Sequence, residues 1–306
     1  MKNILVTGAG GFVGSHLLKE LTDNGLSVVA IDRQINETKK DSVQFFGLDL
    51  LDPKELEKID FTTVDAVVHL AGLAAVGPSF DSPMNYINTN IGIQVNLFEA
   101  ALKQSAKPKF LIISSGSLYS SNAELPLTET STVSPSSPYA VSKIGQEQMA
   151  AYYSQRGFDC VIARPFNHIG PGQNEGFIAP DLTKQLVEVE KGLTNKIQVG
   201  NLDASRDYTD VRDIVRAYRL LLEKGASGET YNICSGRALS GHDILKKLLA
   251  IVDTKPIIKE DASKMRPSDN PIIYGDHKKL TQKTGWEPTI DIDTTLGDVI
   301  ADWRSR

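Results

Sequence analysis

The sequence predicts an α/β chain: a doubly wound parallel sheet followed by a smaller α/β domain. Three observations support this. Short apolar runs alternate with helical spacing from Asn3 to Arg164, a pattern that places parallel strands between two helical layers. A glycine-rich turn, Gly8-Ala9-Gly10-Gly11-Phe12-Val13-Gly14, separates the first apolar run from the first helical pattern. The alternation loosens after Pro165, at a second glycine-rich stretch.

In chain order, residues 3–7 read as a buried strand, followed by a helix through Val13, Leu17, Leu18 and Leu21. Strands are expected at 26–31, 43–46, 65–70, 109–114 and 159–164, with a short helix at 53–59 and longer ones at 85–105 and 139–156. Beyond Pro165, residues 167–176 read as an ordered loop and 177–191 as a helix. Ile197 to Gly200 precedes a polar turn, and helical spacing resumes over 211–223. Residues 231–233 read as a returning strand, Ser240 opens a helix over 243–251, and Trp286 marks the last structured region. The expected domains are 1–166, binding a dinucleotide, and 167–306, mainly for substrate, with segments crossing back to the first.

The chain has 306 residues, 41% of them hydrophobic. A chain of that size buries about 75% of its unfolded surface. The net charge of −5 is spread along the chain and offers no nucleic-acid-binding face. Met1-Lys2-Asn3 runs straight into a strand pattern, without a secretory leader. No apolar run reaches the ~18–20 residues that cross a bilayer. A cytoplasmic protein without a membrane partner is expected. Cys160 and Cys234 lie far apart without metal-site companions and read as core residues. No metal is expected.

The glycine turn has the context of a Rossmann-type dinucleotide site: strand, turn, helix, then an acidic residue, Asp32, at the end of the next strand. Glycine lets the backbone approach a pyrophosphate, and the helix N-terminus supplies amide donors. Gly8, Gly10, Gly11, Phe12, Val13 and Gly14 are the expected cofactor contacts. Asp32 suits the adenosine ribose hydroxyls and disfavours the extra phosphate of NADP, whereas the adjacent Arg33 offsets that repulsion. NAD(H) is therefore preferred over NADP(H), with both admitted. Asp49 and Leu50 follow the third strand, where Asp49 faces either the adenine or solvent. Leu70, Ala71 and Gly72 follow the fourth strand with small residues that let the cofactor pass. Asn90, on the long helix, either binds backbone at the edge of the site or satisfies an interhelical contact.

The chemical centre is read from Ser115, Tyr139 and Lys143. Tyr139 and Lys143 are four apart and share one helical face. Alone, such a pair more often decorates a helix surface; behind a dinucleotide motif it suits hydride chemistry. A nearby lysinium favours the phenolate and eases proton exchange at neutral pH. Lys143 also reaches a cofactor ribose, and Ser115, with Ser114 and Ser117 as neighbouring alternatives, orients the reacting oxygen.

Thr7 through Gly14, Ser115 before Leu118-Tyr119, and Tyr139 through Lys143 resemble the extended short-chain dehydrogenase/reductase family, the sugar-nucleotide epimerases and dehydratases. The resemblance spans nearly the whole chain. It implies a Rossmann domain, a smaller nucleotide-sugar domain, and dimerisation through the helices at 85–105 and 139–156. Three further segments look like the branch that handles GDP-deoxyhexoses. They are Ala163 through Gln173, Gly200 through Asp213, and Met265-Arg266-Pro267-Ser268-Asp269-Asn270-Pro271. That likeness places Asn167 at the sugar end of the pocket and Arg206 and Arg266 near the substrate phosphates. Guanidinium forks suit diphosphate oxygens, although either arginine also suits a surface ion pair. His168 is read equally as a substrate contact or as packing.

In family dehydratases the position of Ser117 carries an acid, and in the 3,5-epimerase/reductases a cysteine. A serine there disfavours dehydration and inversion at C3 and C5, with Ser117 left as a substrate contact. The expected activity is reduction of a C4 ketone on a GDP-linked 6-deoxyhexose, giving GDP-D-rhamnose. A 4-epimerase using the same triad is the alternative. The non-enzymatic reading is a cofactor-binding sensor or scaffold.

Overall fold

The computed structural model describes residues 1–35, 38–261 and 271–306. The apolar runs of the first half form strands β1 (Asn3–Thr7), β2 (Ser27–Asp32), β3 (Thr38–Lys40), β4 (Val43–Gly47), β5 (Ala66–His69), β6 (Lys109–Ile113) and β7 (Cys160–Pro165). Between them run helices α1 (Phe12–Asp23), the single turn α2 (Val76–Ser79), α3 (Pro83–Lys103) and α4 (Pro138–Gln155). The expected helix at 53–59 is a four-residue 3-10 turn, Glu55–Lys58.

The second half adds β8 (Asn167–Ile169), α5 (Ile178–Glu190), β9 (Lys196–Val199), β10 (Ser205–Asp210) and α6 (Val211–Lys224). It continues with β11 (Thr230–Ile233), β12 (Ala238–Ser240), α7 (Gly241–Ile251), β13 (Ile257–Glu260), β14 (Ile272–Ile273), α8 (Lys278–Thr284) and α9 (Ile292–Ser305). Ser240 opens α7 with a reciprocal capping box, its hydroxyl accepting from Asp243 N while the Asp243 carboxylate accepts from Ser240 N.

The main sheet has the order β11-β7-β6-β5-β1-β2-β4-β3, parallel except for β3 at one edge. Both faces are covered, and all four residues of β5 are buried. On one face, α1 and α6 bring Leu17, Leu21, Ile214 and Leu221 against the sheet. On the other, α3 and α4 supply Leu97, Phe98, Ala150 and Tyr153. Phe98 stacks between Phe110 and Tyr153, with ring centroids 4.0 and 4.2 Å away. From β1 the chain proceeds outward through β2 and β4, then returns to pair β5 on the opposite side of β1. Strand order therefore reverses between β1 and β5, which opens a crevice at their C-terminal ends.

The chain recrosses to this sheet after Pro165. β11 pairs in parallel with β7, and α6 packs beside α1. The remaining elements form a smaller lobe around Ile197, Leu186, Ile244, Leu248, Leu296 and Ile300.

Three expectations for the second half are corrected. The loop at 167–176 begins as β8, paired with Tyr208, Thr209 and Asp210 of β10. The polar turn after Gly200 contains β10 itself, whose composition hid it: its buried side chains include Asp207 and Asp210, at 1% and 2% exposure. Trp286 is followed by another helix, α9, which inserts Leu296, Val299 and Ile300 into buried positions.

Asp213, at the start of α6, ties this last segment to the sheet. Its buried carboxylate accepts from Thr289 N, Thr289 Oγ1 and Ile290 N, each at 2.9 Å, and from Arg216 Nη2. The Trp286 indole donates to the Asp213 carbonyl at 2.9 Å. No helix among the described residues is long and apolar enough to cross a membrane. Asp213→Ala strands two backbone donors and removes the charge partner of Arg216, and should lower unfolding free energy by about 3 kcal/mol. Urea denaturation reads this directly; an unchanged midpoint would remove the clamp from the account of stability.

Candidate active site

The glycine turn and the loop after β5 meet at the crevice between β1 and β5. Gly8 has φ +68°, and a Cβ built there would lie 2.8 Å from Ala71 N. A Cβ on Gly14 would fall 2.2 Å from the Gly8 carbonyl oxygen, so α1 seats on the turn only without a side chain there. Gly11 caps α1 in extended conformation with no side-chain acceptor, leaving the first amides of the helix for an anion. This backbone cradle and its uncapped helix start fit a pyrophosphate.

Asp32 ends β2 beside the turn. Its Oδ2 accepts from Gly10 N at 3.1 Å and its Oδ1 from Gln34 N at 3.3 Å. The carboxylate is therefore fixed against the glycine turn, with the exposed Arg33 following it. Asp49 is exposed and its Oδ1 accepts from Leu51 N at 3.0 Å, while Leu50 is buried with its carbonyl held by Asn96. Phe12 lies parallel to His168 with centroids 6.2 Å apart, and His16 Nε2 is 2.8 Å from the Pro171 carbonyl. The second lobe thus packs directly onto the first turns of α1, beside Val13. His168 is engaged in that packing, its Nδ1 3.0 Å from the Phe166 carbonyl, and burial lowers its pKa.

The loop carrying Leu70, Ala71 and Gly72 is held from below. Thr7 Oγ1 accepts from Ala71 N at 3.1 Å and lies 3.0 Å from His69 Nδ1. Asn90 is fully buried: its Oδ1 accepts from Leu73 N at 2.7 Å, and its Nδ2 donates to Leu73 O and to Ser142 Oγ at 3.1 and 2.9 Å. Both alternatives for this residue are therefore realised, a grip on loop backbone and an interhelical contact. Its Oδ1 would lie 2.6 Å from a Cβ on Gly72, which has φ +151°.

Ser115, Tyr139 and Lys143 converge where β6 ends and α4 begins. Ser137 caps α4, accepting from Ala140 N at 3.1 Å, and Pro138 occupies the first turn. The Ser115 hydroxyl lies beside the Tyr139 phenol and acts to lower its pKa. Its Oγ also lies 2.8 Å from Ser117 Oγ and accepts from Ser117 N at 3.1 Å. Of the three serines considered, Ser114 points elsewhere, donating to Glu147 Oε1 at 2.5 Å. Lys143 Nζ donates to the Ile113 carbonyl at 2.9 Å and sits 5.8 Å from the Tyr139 ring centroid. An ammonium has three donors, so N–H groups remain for a ribose.

Electrostatics correct one expectation. Burial raises the Tyr139 pKa and outweighs the lowering effect of the Ser115 hydroxyl, which favours the protonated phenol. Burial lowers Lys143 to about 8, opposed by the negative charge of Glu147. Both shifts follow from placing ionisable groups in a low-dielectric crevice. A protonated phenol is an acid, the form a carbonyl reduction consumes.

Asn167 lies exposed on β8, opposite Tyr208. Arg206 is half-buried on β10, between Leu239 and Ile273, and its Nη1 donates to the Ser205 carbonyl at 2.9 Å. Arg266 lies outside the described residues. Among the described residues no cluster of three or more His, Cys, Asp or Glu forms a metal site, and Cys160 and Cys234 are buried free thiols.

Four buried polar residues of the site were missed. His69 and Gln146 meet at 3.1 Å beneath the loop, and burial, with Lys143 next, depresses the His69 pKa to about 3. Glu147 and Arg164 form a bidentate pair. Gln146 and Glu147 follow Lys143 by three and four residues on the same helix, a spacing legible in the sequence.

A family model described as GDP-mannose 4,6 dehydratase matches residues 5–299. The chain is 34% identical to GDP-6-deoxy-D-mannose reductase of Pseudomonas aeruginosa, over 100% of this chain and 98% of that protein. It is 30% identical to UDP-glucose 4-epimerase 2 of Arabidopsis thaliana, over 100% of this chain and 95% of that one. Among solved structures, RMD from Pseudomonas aeruginosa complexed with NADPH aligns with TM-score 0.89 at 34% identity, covering 100% of this chain and 99% of that one. A UDP-glucose 4-epimerase of Thermotoga maritima with UDP-glucose aligns with TM-score 0.88 at 30% identity, covering 99% of each chain. With the glycine cradle, the Ser115–Tyr139–Lys143 centre and a match of almost its full length, the chain belongs to the GDP-mannose 4,6-dehydratase family of extended short-chain dehydrogenases/reductases.

Proposed function

We propose that the protein reduces the C4 ketone of GDP-4-dehydro-6-deoxy-D-mannose to GDP-D-rhamnose, using NADH or NADPH. The observation that carries this reading is the pair of hydroxyls, Ser115 and Ser117, 2.8 Å apart beside Tyr139, whose pKa burial raises. The position of Ser117 holds an acid in the family's dehydratases; here it offers only hydrogen bonds. Similarity to the Pseudomonas reductase over the full chain supports the GDP-linked sugar.

The bound nicotinamide supplies the hydride. Ser115 orients the C4 oxygen by hydrogen bonding and stabilises the charge that develops on it. Tyr139 donates its phenolic proton to that oxygen, and the phenolate left behind is stabilised by the Lys143 ammonium. Lys143 also holds a ribose while its bond to Ile113 fixes its direction. Asn167, Arg206 and Arg266 are assigned to the nucleotide sugar, the arginines as forks for diphosphate oxygens. We assign Gly8, Gly10, Gly11, Phe12, Val13, Gly14 and Asp32 to the dinucleotide. Asp49 and Leu50 border its adenine end, and Leu70, Ala71 and Gly72 line its path.

The exposed apolar side chains Val141, Tyr152 and Met84, on α3 and α4, suit a homodimer through these helices. We assign the protein to the cytoplasm, without nucleic-acid or membrane partners; its net charge is −5, and among the described residues no helix is long and apolar enough to cross a membrane. A 4-epimerase is the second reading, favoured by the similarity to UDP-glucose 4-epimerases and by machinery the two reactions share.

Incubation with GDP-4-dehydro-6-deoxy-D-mannose should consume NADH or NADPH stoichiometrically, and product NMR should show D-rhamnose. Interconversion of UDP-glucose and UDP-galactose without net consumption would instead establish the epimerase. Tyr139→Phe should keep the fold and dinucleotide affinity yet lower kcat by roughly 10²–10⁴-fold, the range for loss of a general acid; turnover close to the unaltered enzyme's would reject the proton route. Replacing Asp32 with Ala should favour NADPH over NADH by about tenfold in paired titrations, because the carboxylate repels a 2′-phosphate. An unchanged ratio would detach cofactor choice from this residue.

A further inference from the structure

Glu147 sits one turn beyond Lys143 and two beyond Tyr139 on α4, and it is buried at 8% exposure. Arg164, on β7, grips it with a fork: Nε to Oε1 at 2.8 Å and Nη2 to Oε2 at 2.7 Å. The same Oε1 accepts from Ser114 Oγ at 2.5 Å. Ser114 is the residue between Ile113, which receives the Lys143 ammonium, and Ser115, whose hydroxyl acts on the Tyr139 phenol. Three consecutive residues at the end of β6 therefore face three consecutive turns of α4, two of them through hydrogen bonds, and only the bond from Ser114 depends on a carboxylate.

The far side of the fork is also built in. Arg164 Nη1 donates to Tyr119 Oη at 3.0 Å, and Tyr119 donates to Asn232 Oδ1 at 2.6 Å. The Asn232 amide then donates to the Leu127 carbonyl at 3.0 Å, and Asn232 N donates to Glu129 Oε1 at 2.8 Å. A buried ion pair replaced by apolar groups is often neutral for stability. Its retention beneath a catalytic pair calls for a reason other than stability.

Building on the catalytic reading of Tyr139 and Lys143, we propose that Glu147 is a positioning residue, clamped by Arg164, that sets the spacing of Ser115 and Tyr139 through Ser114 and keeps a fixed negative charge one turn from the Lys143 ammonium. The charged and titratable groups around it are few. Arg164 faces it from β7, with Tyr119 and Glu129 behind on the loop after β6. His69 approaches Lys143 from β5 and stays neutral across the working range, its pKa depressed to about 3 by burial, then by Lys143. Tyr139 lies on the same helix, with Tyr86 of α3 against its ring. Of these, Glu147 is the group that raises the Lys143 pKa, countering the burial that brings it to about 8.

The test compares pH profiles of kcat and KM, with thermal melting, for the unaltered protein and for Glu147→Gln, Ser114→Ala and the double variant Glu147→Gln/Arg164→Met. NADPH and GDP-4-dehydro-6-deoxy-D-mannose are the substrates, and Tyr139→Phe runs in parallel. The unaltered enzyme should lose activity as pH rises through about 8, as Lys143 deprotonates. Glu147→Gln removes the charge that favours the ammonium, so this alkaline limb should move to lower pH by about one unit, with kcat down roughly tenfold and KM little changed.

Ser114→Ala should lower kcat with the limb in place. The double variant removes the orphaned guanidinium and so should recover the melting temperature but not kcat, which keeps the test valid if Glu147→Gln alone folds poorly. Recovery of both, or an unmoved limb in Glu147→Gln, would reduce the pair to a structural role and overturn the proposal. Full turnover by Tyr139→Phe would instead sink the catalytic reading beneath it, so the two failures are distinguishable.

Discussion

Lys143 donates to the carbonyl of Ile113 at 2.9 Å, and the hydroxyl of Ser115, two residues on, acts on the Tyr139 phenol. The register between the end of β6 and the first turns of α4 is the constraint on which the site depends. A strand end and a helix have no intrinsic reason to hold a fixed separation at the scale of one hydrogen bond. Here that separation is set by bonds at Ile113 and Ser114, and the helix is positioned from its other side by Asn90, whose amide reaches Ser142. Tyr139 and Lys143 sit on a helix and Ser115 follows directly on a strand, where hydrogen-bond geometry survives thermal motion better than on an unsupported loop.

The ionisable groups of the crevice are governed by burial more than by one another. Tyr139 moves up and Lys143 moves down for the same physical cause, loss of water around a charge. This leaves a phenol that starts with its proton and an ammonium close to its titration point. The pair suits proton donation to a carbonyl oxygen, with the lysine stabilising the phenolate once it forms. His69 completes the arrangement as a neutral support that does not compete for the proton.

Elsewhere, acidic residues serve as joints. In the run from Asp207 to Asp213, three carboxylates are buried and each is occupied. Asp207 accepts from Ser235, Gly236 and Gly275; Asp210 accepts from Arg212 and Thr295; Asp213 clamps the approach to α9. Backbone amides, hydroxyls and guanidinium groups stand in for the water these carboxylates lose, although at Asp207 burial still raises the pKa. The carboxylates fasten the smaller lobe to the sheet and hold it over α1, where Phe12 and His16 meet His168 and Pro171.

Local pattern was enough for the parallel sheet, the glycine turn, Asp32 and the pairing of Tyr139 with Lys143, because each follows from chain-neighbour chemistry: apolar periodicity, φ freedom at Gly8, and one helical turn between two side chains. The charged strand β10 was hidden because two of its four buried positions are aspartates, whose burial is tolerable only with partners distant in sequence. Glu147 and Arg164 become a pair only when β7 is laid beside α4. Which of three adjacent serines faces Tyr139, and whether the phenol keeps its proton, were decided by tertiary structure alone. Hydrogen-bond direction and desolvation depend on atoms brought together from separate elements, and a linear pattern records neither.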